Sequence, residues 1–511
     1  MTHTSVGPIH ETPPRSPFDT GVMTAQPQSP YRAADLAPSR SFGTHRRVRL
    51  RRARRIALEA ATLASTALVL LTPAGVQSEG GPWSQPAALG ACSEPGAPAV
   101  VFPDDTPRHG TGAGAIVWGS DSRCRGGAGP RVSAIAAGTD VPAAASIPRA
   151  FAAKPGALGP AGAVAAAAAP HGRILLAAAA GPGASAAGGL LLSEGLARGP
   201  FSTPTPTGGP AAPIALTTAY LGDVALASPS RAGAIELRVH RYNASSFPAP
   251  VPVTSSRSVQ GLTLAMDYRS DALAVWERDG AIYARDMPGS GRSSHAVTRV
   301  ASAAPGARIA ALLSDDNRAT LAWSETRAGI TRVYAELSAP GVRFGVPRLL
   351  ERFADPSGVG PPPGPRLARL LSESVMLAWT GAASGHWAVR TAAVDLNGVR
   401  SIDTISAAGR DALLSDLVPG PAGEAYALWS EPRSTPTGLD LSDQAVYAAR
   451  GIDAYPGRTI FTAPELISAA RAPGCTGEAA IAVDPDSDRA LAAWRTPDGA
   501  IDYSLRAVGG G

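Results

Sequence analysis

Lysine is almost missing from this 511-residue chain: Lys154 stands alone against 45 arginines. That imbalance reads as the coding bias of a GC-rich bacterial genome, not as a recognition signal. Cysteine is nearly as scarce. Cys92, Cys124 and Cys475 are too few for a disulfide scaffold, and no C-x-x-C pair points to zinc or redox work. Aromatics make up 5% and charged residues 17%, so any core must be packed largely from Ala, Val and Leu. The histidines are scattered, which argues against a metal centre or a catalytic triad. No Gly-x-Ser-x-Gly elbow, phosphate loop or dinucleotide fingerprint is present. No cofactor and no bound metal are expected. Asp484-Pro485-Asp486-Ser487-Asp488 has the alternating acids of a calcium loop, but Arg489 and Arg495 stand where that loop needs Gly and an acid. A plain turn is the expectation there.

Basic charge is concentrated at the front. Residues 1–55 hold ten Arg and three acids, which leaves 36 basic against 38 acidic side chains in the rest. A near-neutral remainder lacks the dense basic footprint that nucleic-acid binding requires. Residues 1–45 are rich in Pro, Ser, Thr and Gly without an apolar period, and the composition predicts a disordered tail. Seven Arg in residues 46–55 precede an apolar stretch at 60–71 and then small, polar residues. This is the order of an export signal, and 46–78 is read as a cleaved signal or as a membrane anchor with its Arg cluster inside the cell. Either reading places the rest outside the cytoplasm and confines membrane contact to this segment. In an oxidising compartment Cys92–Cys124 is the first pairing expected. Cys92–Cys475, which would staple the chain ends together, is the second.

Glycine (56) and proline (48) are abundant, as frequent turns between short strands would demand. The strands themselves repeat. Ala272-Leu273-Ala274-Val275-Trp276 is echoed by segments ending at Trp323, Trp379, Trp429 and Trp494, spaced by 47, 56, 50 and 65 residues. A period near 50 built from short apolar strands is the signature of radial β-repeats. In the clearest unit, 307–350, strands a to d follow in order, with a polar turn at 314–318 and a loop expected at 324–329. Strand a–b pairs recur at 261–276, 366–379, 411–429 and 478–494. Weaker versions without Trp fall at 163–193 and 213–242, and a further one spans 99–135. The chain is therefore expected to be all-β. It reads as a seven- or eight-bladed β-propeller of four-stranded antiparallel blades over 99–508, with eight preferred. The last unit lacks a strand d, which the linker at 79–98 is placed to supply. Each repeated Trp is expected to fill the wedge between neighbouring blades.

Acids and arginines recur just after the Trp positions: Glu277, Arg278, Glu325, Arg327, Glu431, Arg433 and Arg495. In a propeller the b–c turns open on the same face as the d–a connections. A converging set there would hold a charged or hydroxylated ligand. No two carboxylates are fixed at a catalytic separation, and no catalytic residue is assigned.

The units ALAVWERDGAIYAR (272–285) and ALAAWRTPDGAIDYSLRA (490–507) resemble the repeats of secreted bacterial sialidase-like β-propeller proteins. Sialidases carry Asp-box turns and an arginine triad. Ser324-Glu325-Thr326 and Asp279-Gly280 only echo the box, and no positions match the triad. The resemblance thus implies the fold and not the activity. The leading expectation is an exported, non-catalytic binding or scaffold protein for a cell-surface glycan or protein. A divergent sialidase-like glycoside hydrolase is the alternative, and a membrane-anchored extracytoplasmic sensor the second alternative.

Overall fold

The computed structural model describes residues 83–506, apart from 103–113, 121–128, 136–148, 151–163, 180–189, 207–213, 290–295, 469–477 and shorter stretches of the connections. The tail at 1–45, the segment at 46–78 and all three cysteines, with their expected pairing, lie outside the described residues.

Every regular element described is a strand, arranged in eight sheets of antiparallel neighbours. Seven of the sheets take four consecutive strands in the order a-b-c-d, and that of blade 7 carries one further short strand, Glu465–Leu466. Blades 1 to 7 begin at Ala99, Val164, Ala215, Gln260, Arg308, Arg366 and Leu413. Blade 8 takes a, b and c from Ala479–Val483, Ala490–Arg495 and Ile501–Arg506. Its fourth strand is Ala87–Gly90, from the front of the chain. The first strand of each sheet lies against the first strand of the next, and that of blade 8 against that of blade 1. The a strands therefore form the inner wall of a closed ring, an eight-bladed propeller.

The junction in blade 8 is hydrogen-bonded well beyond its strand. Ala87 faces Tyr503, and Ala88 faces Asp502. Ser84 N–H donates to the Leu505 carbonyl at 2.8 Å, and Ser93 N–H to the Gly499 carbonyl at 2.7 Å. Leu89 adds its side chain to the core shared by blades 8 and 1. Without this strand, blade 8 would expose the edge of Ile501–Arg506.

The repeated motif follows from strand alternation. Side chains at i, i+2 and i+4 share one face. Ala272, Ala274 and Trp276 point to blade 3, whereas Leu273 and Val275 point to blade 5. Likewise Ala425, Ala427 and Trp429 meet blade 6, and Tyr426 and Leu428 meet blade 8. Trp494 and Trp118 follow the same rule at the next two junctions. Each Trp thus fills the wedge toward the preceding blade, and the small Ala residues let the inner parts of the sheets approach. Three of the indoles also stack on the Tyr directly across strand c: Trp276 on Tyr283, Trp323 on Tyr334 and Trp429 on Tyr447, with centroids 5.3–6.1 Å apart.

The polar stretch after each Trp differs from expectation. Residues 324–327 are not loop: strand b of blade 5 runs Ala319–Arg327, and only Ala328-Gly329 turns before Ile330. Positive φ at both turn residues (50° and 73°) marks the tight hairpin turn that matches strand twist. Asp279-Gly280 and Ser384-Gly385 repeat it. With two residues consumed by the turn, all those before it stay paired.

Candidate functional site: the face of the b–c turns and d–a connections

The seven residues singled out after the tryptophans all lie on strand b, not in loops. They occupy the expected face, but the carboxylates turn inward. Glu277 is buried, accepting from Gly280 N–H and from Gly306 N–H, each at 3.2 Å. It thereby ties its own hairpin turn to the connection leading into blade 5. Glu325 accepts from Ala304 N–H in that same connection at 2.6 Å. Glu431 takes the Trp429 indole N–H at 3.3 Å, and burial pushes its carboxyl above the usual range. Glu351 does the same work across a junction, accepting from the Trp379 indole at 2.6 Å and from Ala382 N–H at 3.1 Å. A carboxylate has several acceptor positions, and here it satisfies donors at the ends of hairpins that would otherwise be orphaned.

The arginines of the set are dispersed as well. Arg278 lies over the Tyr283 ring, 4.6 Å from its centroid. Arg327 is exposed on blade 5. Arg433 pairs with Asp443 at 3.1 Å. Arg495 reaches Ser93 at 3.0 Å and Glu478 at 3.6 Å, binding the closing segment to blade 8. Their partners lie on different blades, so the set does not converge.

A different group comes together on the inner wall. Arg308 and Arg366 open strand a of blades 5 and 6. Arg308 Nη1 donates to the Pro362 carbonyl at 2.6 Å, and its stem packs on Gly364. Burial, and then repulsion from Arg366, lower the Arg308 pKa. Arg366 Nε lies 3.8 Å from Asp416 Oδ1. Asp416 sits at a bulge in strand a of blade 7, where its other oxygen accepts from Ile481 N–H of blade 8 at 3.2 Å. Desolvation raises its pKa above the usual carboxylate range. At the d–a opening of the ring, then, Arg366 has a carboxylate beside it, whereas Arg308, which its charge repels, is held by a backbone carbonyl. A ligand oxyanion placed there would relieve their mutual repulsion.

No family model matches the chain, and no curated protein matches it. Solved structures do. AofleA from Arthrobotrys oligospora is similar at 12% identity over 61% of this chain and 90% of that one, with a TM-score of 0.33. A Hadza microbial sialidase is similar at 10% identity over 62% and 73%, TM-score 0.33. The alpha-L-arabinanase of Penicillium chrysogenum, solved with arabinobiose, is similar at 10% identity over 57% and 92%, TM-score 0.35. Likeness at this level transfers no activity, so the site is read from this chain's own geometry.

Sequence reasoning passed over Arg308, Arg366 and Asp416. The first two had a signal, because both are the first residue of strand a in their repeat. Asp416 had none, since its role depends on a bulge. The acids of the a–b turns are engaged on the opposite face. Asp484 accepts from Ser487 at 2.6 Å and Arg489 at 2.9 Å, and Asp488 accepts from the Tyr426 hydroxyl at 2.6 Å. No group of three or more metal-ligating side chains occurs among the described residues.

Proposed function

We propose that this chain is an exported, non-catalytic binding propeller that holds an acidic cell-surface glycan over the d–a opening of its ring. One observation carries the reading: the guanidiniums of Arg308 and Arg366, on adjacent inner strands, repel each other, with Asp416 beside Arg366 and a backbone carbonyl holding Arg308. Export rests on the Arg-rich and apolar segment at 46–78. The acids after the tryptophans support a scaffold role for strand b, because their oxygens are taken by backbone and indole N–H groups. The test is binding of the purified protein to an array of acidic and neutral glycans and to envelope fractions. The double variant R308Q/R366Q is expected to lose acidic-glycan binding while keeping the wild-type Tm. Equal binding by the variant, or no binding by the wild type, contradicts the reading.

A glycoside hydrolase is the second reading, and Asp416 is what favours it. A carboxyl with a raised pKa beside an arginine is the kind of group a general acid requires. Turnover of fluorogenic glycosides that is abolished by Asp416→Asn would establish it. N-terminal sequencing of the exported protein separates both from a membrane-anchored sensor, since a mature start near Glu79 leaves no anchor.

A further inference from the structure

Strands b, c and d of blade 5 place Glu325, Arg332 and Arg352 directly opposite one another in a single cross-strand row. Residues paired in this way project to the same side of a sheet, with Cβ atoms about 4.5–5.5 Å apart. The neighbouring row on that side is Trp323, Tyr334 and Leu349. Trp323 and Tyr334 pack toward blade 4, whereas Val333 and Phe353, which alternate with the charged row, point to blade 6. Arg327 follows Glu325 by two residues on strand b and so joins the same side.

Like charges set directly opposite each other weaken a sheet. Nothing in the blade offsets them here. Among the described residues, the guanidiniums of Arg327, Arg332 and Arg352 make no hydrogen bond or ion pair. The carboxylates around them are committed to backbone and indole donors. Glu325 gives Oε2 to Ala304 N–H at 2.6 Å. Glu351 is taken by the Trp379 indole and Ala382 N–H, and Glu277 of blade 4 by Gly280 and Gly306 N–H. Oε1 of Glu325 is left open to a hydroxyl donor. The Tyr334 hydroxyl is within electrostatic reach of both Glu325 and Arg332. Burial, and then the Glu325 charge, raise its pKa, so it stays protonated. Arg327 and Arg352 are exposed and Arg332 half-buried, and Leu349 shows 48% of its surface beside them. Charge, two hydroxyl partners and an apolar ledge therefore meet on one accessible face.

We propose that this face of blade 5 binds a phosphorylated sugar, with the phosphoryl group between Arg332 and Arg352 and Arg327 beside them. A carboxylate has two oxygens in one plane and fills one guanidinium fork. A phosphoryl group spreads three oxygens over a tetrahedron and carries about −1.5 to −2 charges at neutral pH, so it joins guanidiniums on two strands. Glu325 argues against bare phosphate, because its charge repels the anion and only a hydroxyl donor on the ligand offsets that. The sugar hydroxyls meet Glu325 Oε1 and the Tyr334 hydroxyl, and the apolar side of the ring lies on Leu349. This site is on the outer strands of the blade, apart from Arg308 on its inner strand, and stands without the reading of the channel opening.

Glucose 6-phosphate and galactose 6-phosphate, titrated calorimetrically against the full chain at about 0.15 M ionic strength, test this. Glucose, inorganic phosphate, glucuronate and a phosphotyrosine peptide serve as comparisons. The wild type is expected to bind one or both sugar phosphates about tenfold or more tighter than inorganic phosphate or glucuronate, and glucose not measurably. R332Q and R352Q are each expected to lose about tenfold or more of that affinity. Y334F, which keeps the ring on Trp323, is expected to narrow the advantage over inorganic phosphate. R343Q removes an exposed arginine of the same blade ahead of strand d and is expected to bind as the wild type does. Full binding in R332Q and R352Q, an equal loss in R343Q, or no binding of either sugar phosphate overturns the site. Loss in R308Q/R366Q with none in R332Q or R352Q moves the phosphate to the channel opening and also overturns it. Tighter binding of inorganic phosphate or of the phosphotyrosine peptide overturns the sugar assignment. Each arginine variant removes a like charge, so a Tm at or above the wild-type value is expected and checks that the variants fold.

Discussion

A carboxylate beside a buried tryptophan serves either a ligand or its own backbone, and the two uses give opposite results when it is neutralised. Glu277 holds two N–H groups, one in its own turn and one in the connection to the next blade. Removing it leaves both without an acceptor in a half-buried corner. Glu277→Ala is expected to cost about 1–3 kcal/mol in denaturant unfolding, and Glu277→Gln, which keeps one oxygen, less. Glycan binding is expected to stay at the wild-type level in both. A Glu277→Gln variant of full stability that lost binding would return this residue to the ligand site. The recurrence of these acids was plain in the sequence, but their direction was not. It depends on how many residues the b–c turn consumes and on where the preceding connection passes, and neither is encoded next to the acid.

At the scale of the element, strand c of blade 8 is the most informative, because it receives the strand from the front of the chain. Asp502 lies on it, opposite Ala88. Burial, and then the nearby Asp498, push its pKa up to about 6. A carboxyl raised in the folded state favours the fold when protonated. That contribution is complete below the ordinary carboxylate range and is lost as pH rises through about 6. The wild type is therefore expected to lose Tm between about pH 4 and pH 7 relative to Asp502→Asn, whose profile is flatter in that window. Thermal scans across this range check it, and parallel profiles for the two proteins contradict it. Strands were legible in proportion to their side chains. Blades 4 to 8 announced themselves through Trp at the end of strand b. Blade 2, whose strands Val164–Ala169 and Arg173–Ala179 contain mostly Ala and Leu, gave only a faint alternation. The polar end of strand b hides in the sequence because Ser324-Glu325-Thr326 has turn composition, while pairing with Thr331-Arg332-Val333 keeps it extended.

The whole molecule is held by two kinds of contact between blades. Tryptophan wedges fill the interfaces, and polar contacts stitch the a–b turn side. Asp315 binds Arg369 of blade 6, the Ser270 hydroxyl of blade 4 reaches Asp223 of blade 3, and Arg506 donates to the Tyr426 hydroxyl across blades 7 and 8 at 2.9 Å. Burial raises the pKa of Tyr426, so its hydroxyl stays protonated and donates to Asp488. The preference for eight units over seven was legible from counting strand a–b pairs. The channel-opening arginines were not, because residues 58 positions apart, Arg308 and Arg366, become neighbours only when the ring is drawn.

Ring closure is the claim on which the site depends, since an open ring has no fixed opening. Cysteines placed at Ala88 and Asp502, with Cys92, Cys124 and Cys475 replaced by Ser, test it directly. Directly opposed strand residues have the Cα separation a disulfide needs. On oxidation the account predicts a bond within one chain, in monomers with native Tm. Free thiols, or bonds formed only between chains, would contradict it.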